Sequence, residues 1–252
     1  MGSEHSHAPA AIAARLRAGP RPSYLRDAVY GGIDGAVTTF AVVSGVEGAG
    51  LQAGVILVLG LANLVGDGLS MAAGSYSGTR TEAHELEHYE AMERRHIERH
   101  PEGEREEVRQ IYAAKGLTGD ELERVVEAVT ADRERWVSTM LVEEHGLALR
   151  LRSPLRAAAT TFVAFMLCGS VPLAPYVVGW LGSGAAVAPE DRAGTFALTG
   201  ALTGVVFFLV GALRVRWSVR PWWALGLGTL VVGTLAAAAA WGIGRALAGL
   251  VA

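Results

Sequence analysis

Two acidic residues, Asp34 and Asp67, stand inside long apolar stretches that carry no other charged residue. A carboxylate at membrane depth costs a few kcal/mol and therefore faces a cavity, a partner or a path for ions. Asn63, Asp67 and Met71 are spaced four residues apart, so on a helix they stack along one face. That face offers an amide oxygen, a carboxylate and a thioether. Oxygen donors suit divalent cations in general, and a soft thioether adds preference for transition metals over magnesium or calcium. Asp34 is placed to complete such a site from the preceding stretch, where Gly31, Gly32 and Gly35 leave room for close helix approach or for a passage. Each residue also has a plain reading. The two aspartates and Asn63 can bond a neighbouring helix, and a lone methionine is more often a packing residue.

A second set of candidates lies in a charged block. His84, His88, Met92, His96 and His100 recur every four residues, and Glu85 with His88 and Glu93 with His96 form two Glu-x-x-His pairs. Both spacings put side chains on one helical face. Metal sites in helical bundles converge carboxylates and imidazoles from facing helices in this way. Glu104 and Glu107 repeat the three-residue spacing, and Met140 and Glu144 share a face further on. The competing reading is a solvated helix laced with salt bridges, for which Glu, Arg and His mixtures are typical. His5 and His7, near the start of the chain, read as incidental.

These residues need elements to position them. Of 252 residues, 51% are hydrophobic and only 19% charged, with mean hydropathy +0.30, which excludes an ordinary soluble protein. Of the 25 acidic residues, 18 fall between Arg80 and Arg152, with five of the seven histidines. The net charge of -3 argues against a nucleic-acid partner. The single cysteine, Cys168, lies in an apolar run and allows neither a disulfide within the chain nor a cysteine zinc site. Five apolar runs, Ala28–Val46, Leu51–Tyr76, Ala157–Leu181, Ala193–Leu213 and Pro221–Gly244, each reach the roughly 20 residues that span a hydrocarbon core of about 30 Å. The expected fold is an all-α membrane protein: five transmembrane helices with a three-helix cytoplasmic domain inserted between helices two and three.

Residues 1–26 read as a cytoplasmic tail, mobile through Pro22. Transmembrane helices one and two occupy 27–79, the cytoplasmic metal-binding domain 80–152, and helices three to five 153–252. Arginines set the orientation. Arg15, Arg17, Arg21 and Arg26 precede the first span, thirteen Lys/Arg lie between Arg80 and Arg156, and Arg214, Arg216 and Arg220 separate spans four and five. By the positive-inside rule these regions are cytoplasmic, while Glu47 and the Glu190-Asp191-Arg192 loop face the other side. Met1–Arg26 lacks an apolar core and cleavage site of the signal-peptide kind, so the first span is expected to act as its own insertion signal. Within the block, breaks at Pro101–Gly103 and Gly116–Gly119 divide three helices, with Thr118 and Glu121 at capping-box spacing. The outer two are expected to pair. Gly200 and Gly204 form a GxxxG whose plain reading is packing within one chain.

Longer motifs carry a resemblance. Residues 27–45, DAVYGGIDGAVTTFAVVSG, resemble the first-helix signature of the vacuolar iron transporters, and residues 63–76, NLVGDGLSMAAGSY, resemble that family's second. Trp136–Glu144 is similar to its third cytoplasmic helix, and Pro172-Leu-Ala-Pro175-Tyr176 to its third membrane helix. The match covers nearly everything after residue 25 and fits a bacterial-type member of a family with plant relatives. The resemblance implies a homodimer of five-helix protomers that exchanges cytosolic Fe(II) for protons, with a cytoplasmic domain that collects the metal. It matches Asp34 to the metal and proton carboxylate, Met71 to the second-helix methionine, and Glu93, Glu104, Glu107, Met140 and Glu144 to ligands of the domain. Asn63 and His96 stand where plant-type members carry glutamate, and Leu141 replaces a second methionine. Asp67, one turn on from Asn63, stands ready to supply the missing carboxylate.

The expected activity is therefore metal/proton antiport of Fe(II), or Mn(II), out of the cytosol, with no prosthetic group and no enzyme chemistry. The site is shared by Asp34, Asp67, Asn63 and Met71 near the dimer axis. Metal binding needs deprotonated ligands and releases their protons, which ties the two fluxes. The alternative is a membrane-anchored metal buffer or ferroxidase built on the Glu/His domain. The expected location is the plasma (inner) membrane of a prokaryote, or a vacuolar-type membrane otherwise.

Overall fold

The computed structural model describes residues 6–19, 22–184 and 187–250. Among these residues every regular element is helical. In chain order they are α1 (Pro9–Ala18), α2 (Leu25–Gly48), α3 (Ala53–Arg99), α4 (Pro101–Ala114), α5 (Gly119–Thr130), α6 (Arg133–Glu143), α7 (Pro154–Ser170), α8 (Ala174–Ser183), α9 (Arg192–Leu213) and α10 (Trp222–Leu247). Five segments are long and apolar enough to cross a membrane: Leu25–Gly48, Ala53–Arg99, Pro154–Ser183, Arg192–Trp217 and Trp222–Leu250. They coincide with the five apolar runs, and the protein is an integral membrane protein. The chain divides into two compact units, residues 1–76 with 154–252, and residues 77–153. The 47 residues of α3 supply a span to the first unit and a charged segment to the second.

In the first unit α2 is the central helix. Its buried residues include Gly31, Gly32, Gly35, Ala36, Thr39, Phe40 and Val43. A Cβ at Gly35 would sit 2.9 Å from the Phe165 Cα, and one at Gly31 would meet the Thr161 carbonyl carbon at 3.0 Å, so α2 and α7 run in backbone contact. At its far end Gly48 lies equally close to Trp241 of α10, and Gly244 to Gly45. On α3 the glycines receive side chains instead, Leu173 on Gly60 and Phe162 and Phe165 on Gly68. Ala36, Phe40, Val43, Leu64, Phe165 and Phe207 form the centre of one apolar cluster.

Several expectations are corrected. The tail holds a helix, α1, that starts at Pro9 and stops at Gly19, whose φ of 63 suits glycine; residues 1–5, 20 and 21, with His5 and Arg21 among them, lie outside the described residues. The third span is not one helix. A 3₁₀ turn at Val171–Leu173 separates α7 from α8, because Pro172 and Pro175 cannot donate into an α-helical ladder. Tyr176, buried just beyond, donates to Glu47 Oε1 (3.1 Å), and Arg192 pairs with the same carboxylate (2.9 Å), so Glu47 belongs to a tethered helix end rather than a free loop. The GxxxG glycines face Phe40 of α2 and Leu230 of α10, within the chain.

In the second unit Pro101 opens α4 instead of breaking it, as proline does at a first helical turn. The expected third helix is two. Asp132 Oδ1 accepts from the Arg135 backbone N (2.8 Å) and restarts the chain as α6 after α5 ends at Thr130. Thr118 makes no side-chain cap, so the capping box does not form. The outer helices do meet. Arg94 of α3 makes a two-pronged bond to Glu134 of α6 at 2.6 Å for each arm, and Arg133 pairs with Glu98. Ile97, Val108, Leu122, Val126, Val137, Met140 and Leu141 fill the interior.

The backbone contact between α2 and α7 leads to a prediction. Gly35→Ala should cost about 1–3 kcal/mol, because the Phe165 backbone has to move, whereas Gly228→Ala on α10, with open space at its Cβ, should be neutral or slightly stabilising. Thermal unfolding of the purified protein in detergent measures both; equal melting temperatures would dismiss the contact as a determinant of the fold.

Candidate metal centre

Within the membrane unit, Asp34 and Asp67 come from α2 and α3 and lie within electrostatic reach of one another. Both are half-buried, as are Asn63 and Met71. Asp34 sits between Gly32 and Gly35, so the glycines that admit α7 also fix the height of the carboxylate. Thr38 Oγ1 donates to the Asp34 backbone carbonyl at 2.9 Å. Asn63 Nδ2 is buried with no hydrogen-bond partner among the described residues. An amide without partners can turn either its nitrogen or its oxygen inward, so Asn63 can present an acceptor to a cation. Met71 packs against the apolar cluster of the unit. The structure thus sets the two carboxylates within electrostatic reach and leaves the Asn63 amide nitrogen unsatisfied one turn before Asp67, with Met71 one turn after Asp67 on the same helical face.

The second unit holds a tighter cluster. Glu93 of α3 is almost wholly buried, and Glu104 of α4 nearly so. His145 Nε2 lies 2.9 Å from Glu93 Oε1 and 3.6 Å from Glu144 Oε2. Single donor atoms of Glu93, Glu144 and His145 all lie within 4.8 Å of one another. Ligands bound about 2.1 Å from a cation are at most about 4.2 Å apart, so a small side-chain adjustment would let the three share one ion. His96 Nδ1 lies 3.3 Å from Glu104 Oε1. The remaining oxygens, Glu93 Oε2 and Glu104 Oε2, are buried with no donor among the described residues. Buried carboxylate oxygens without a donor are costly, and a divalent cation or a shared proton relieves that cost.

The expected ligands divide accordingly. Glu93, His96, Glu104 and Glu144 join this cluster. Glu107 is exposed but close enough to bear on both Glu104 and Glu144. Met140 is fully buried in the apolar interior. The stripe members His84, His88 and His100 are exposed. His145 is the residue that sequence spacing missed. It follows Glu144 directly and so shares no helical face with it, but Gly146, at φ 65, closes α6 and the Leu147 N–H returns to the Leu141 carbonyl at 2.8 Å. That turn swings His145 over Glu93, where its ring packs 4.4 Å from the ring of Tyr89. A histidine just before a helix-stopping glycine was the available signal.

Burial first, and then the charges of Glu93, Glu107 and Glu144, push the Glu104 carboxyl up to about 8. Burial also raises Glu144 above the usual carboxylate range, against the favourable pull of His145. The folded chain therefore holds the Glu104 proton more tightly than the unfolded chain does. The stability tied to that proton is complete below pH 4.5, the ordinary value, and is lost as pH rises towards 8. The expected outcome is a melting temperature of the metal-free second unit that falls by several degrees from pH 5.5 to pH 8.5, a slope that Mn(II) removes and Glu104→Gln flattens. Differential scanning calorimetry with and without Mn(II) checks it; a metal-free protein that grows more stable over the same interval would exclude a protonated Glu104.

A profile of the VIT family matches residues 25–245. The vacuolar iron transporter of Toxoplasma gondii is 32% identical over 191 residues, which are 75% of this chain; the chain spans 62% of the length of that relative. Vacuolar iron transporter 2 of Oryza sativa subsp. japonica is 29% identical over 224 residues, covering 88% of this chain and 87% of its own length. Vacuolar iron transporter 1 of Eucalyptus grandis is also 29% identical, over 88% of this chain and 86% of its own. These relatives are named as transporters, not enzymes. With the matched residues taking in four apolar spans, most of the fifth and the whole charged unit between the second and third, this chain belongs to the VIT family.

Proposed function

We propose that this protein carries Fe(II), and Mn(II) as a second substrate, out of the cytosol in exchange for protons. The observation that carries the reading is the pair of intramembrane carboxylates, Asp34 and Asp67, drawn from neighbouring helices into electrostatic reach. Two carboxylates in a low-dielectric span cannot both stay charged without a counter-ion, so entry of a divalent cation and loss of protons are linked steps. In this reading Asn63 adds a neutral oxygen, and Met71 biases the site towards transition metals. The names of the relatives support iron as the cargo.

The second unit is the collector in this scheme and lies on the cytoplasmic side, with Glu93, Glu144 and His145 as one ligand group and Glu104, His96 and Glu107 beside it. Met140 backs the cluster from the interior. A homodimer, with the Asp34 sites near its axis, completes the proposed assembly. The arginine distribution supports the orientation, in a prokaryotic inner membrane or a vacuolar-type membrane. The buried carboxylates of the second unit favour one competing reading, a stationary metal buffer, which requires binding but no flux.

Proteoliposomes with an imposed pH gradient separate the two. Wild type should move Fe(II) and Mn(II) only while the gradient lasts, and Asp34→Asn should abolish flux while leaving metal binding by the second unit intact. Unchanged flux in Asp34→Asn would remove Asp34 from the pathway; absence of flux from folded wild type would leave the buffer. For the collector, His145→Ala should weaken Mn(II) binding by at least roughly tenfold in titration calorimetry. Unaltered affinity would restrict the ligand set to the carboxylates.

A further inference from the structure

At the end of the membrane unit opposite the Glu47–Arg192 pair, Arg26 beside the start of α2 and Arg214 after the end of α9 line one cleft of about 710 Å³. No acidic side chain lines it, and neither guanidinium has a carboxylate partner among the described residues. Two guanidiniums on one cleft attract an anion to the space they share. Its floor is apolar, formed by Val29, Ile33 and Leu225. A small soluble anion gains nothing from that floor, whereas the first carbons of an acyl chain do.

The aromatic residues set the depth. Tyr30 and Trp217 line the same cleft and are 66% and 69% exposed. Trp222 and Trp223, at the first turn of α10, are 54% and 52% exposed. Exposed tyrosine and tryptophan at span ends mark the headgroup layer of a bilayer. The arginines therefore stand at the height of lipid phosphates, with the apolar floor below them in the acyl region. By the distribution of arginine this is the cytoplasmic leaflet, where anionic lipids attract basic pockets between transmembrane helices.

We propose that the cleft binds an anionic phospholipid, with Arg26 and Arg214 on its phosphate and an acyl chain along Val29, Ile33 and Leu225. The site uses none of the metal ligands and stands whether or not the transport reading does. Because α2 carries Asp34 two turns beyond Arg26, a lipid held here fastens the helix that bears the intramembrane carboxylate.

The test is native mass spectrometry of the whole delipidated chain, titrated with phosphatidylglycerol, with phosphatidylcholine of the same chains, and with inorganic phosphate as competitor. Wild type should retain phosphatidylglycerol in preference to phosphatidylcholine. The double variant Arg26→Gln, Arg214→Gln should lose about 10- to 30-fold in affinity for it, while Arg245→Gln, at the far end of α10, should change nothing. Equal retention of the two lipids by wild type would overturn the proposal without need of any variant. Full retention by a double variant that keeps the wild-type elution profile would overturn it as well. Displacement by millimolar inorganic phosphate would assign the cleft to a soluble phosphate and refute the lipid.

Discussion

The membrane unit depends on the direct backbone contact of α2 with its neighbours. Gly31 and Gly35 lie against Thr161 and Phe165 of α7, and Gly48 lies against Trp241 of α10. In lipid no hydrophobic drive pulls helices together, so close approach, van der Waals contact and shape have to hold them. Glycine permits that approach, and the apolar cluster of Ala36, Phe40, Val43, Phe165 and Phe207 fills the space between the contacts. Asp34 sits within the glycine run, and its position follows from this packing. A helix held at both ends by backbone contact cannot rotate freely, so its one mid-span carboxylate is aimed by the fold.

The second unit works under the opposite constraint. There the side chains that matter are charged, and an apolar interior beneath them holds Glu93 and Glu104 away from water. Exposed ion pairs such as Arg94–Glu134 contribute little individually, but they join α3 to α6 and so bring Glu93 opposite the end of α6. The donor set that results is mixed, with imidazole from His96 and His145 among carboxylates. Oxygen donors alone would suit manganese and magnesium; nitrogen donors move preference along the first transition row.

The spans, the arginine bias and the carboxylate pair Asp34 and Asp67 were all legible in the chain, since length, apolarity and helical spacing are local properties. So was most of the acidic cluster. Three features were not. The break at Pro172 was hidden because proline within a long apolar run still reads as a span. The restart at Asp132 was hidden because a stretch without glycine or proline reads as one helix, although aspartate is a good cap. His145 was hidden because spacing rules compare residues on a continuing helix, and at Gly146 the helix stops.

Sequence alone determined that the chain crosses a membrane five times, which residues are too polar to lie there idly, and that a charged helical block separates the second and third spans. These follow from transfer energies and from the 3.6-residue period, which act residue by residue. Tertiary structure alone decided other meetings of polar groups, Glu93 with His145 and Glu47 with Arg192 and Tyr176, and it set Arg26 and Arg214 on one cleft. Each pair joins helices distant in sequence or turns around a helix end. Such meetings are set by how closely backbones pack, which no local pattern encodes, and by where helices stop, which a local signal marks without saying what the chain then meets.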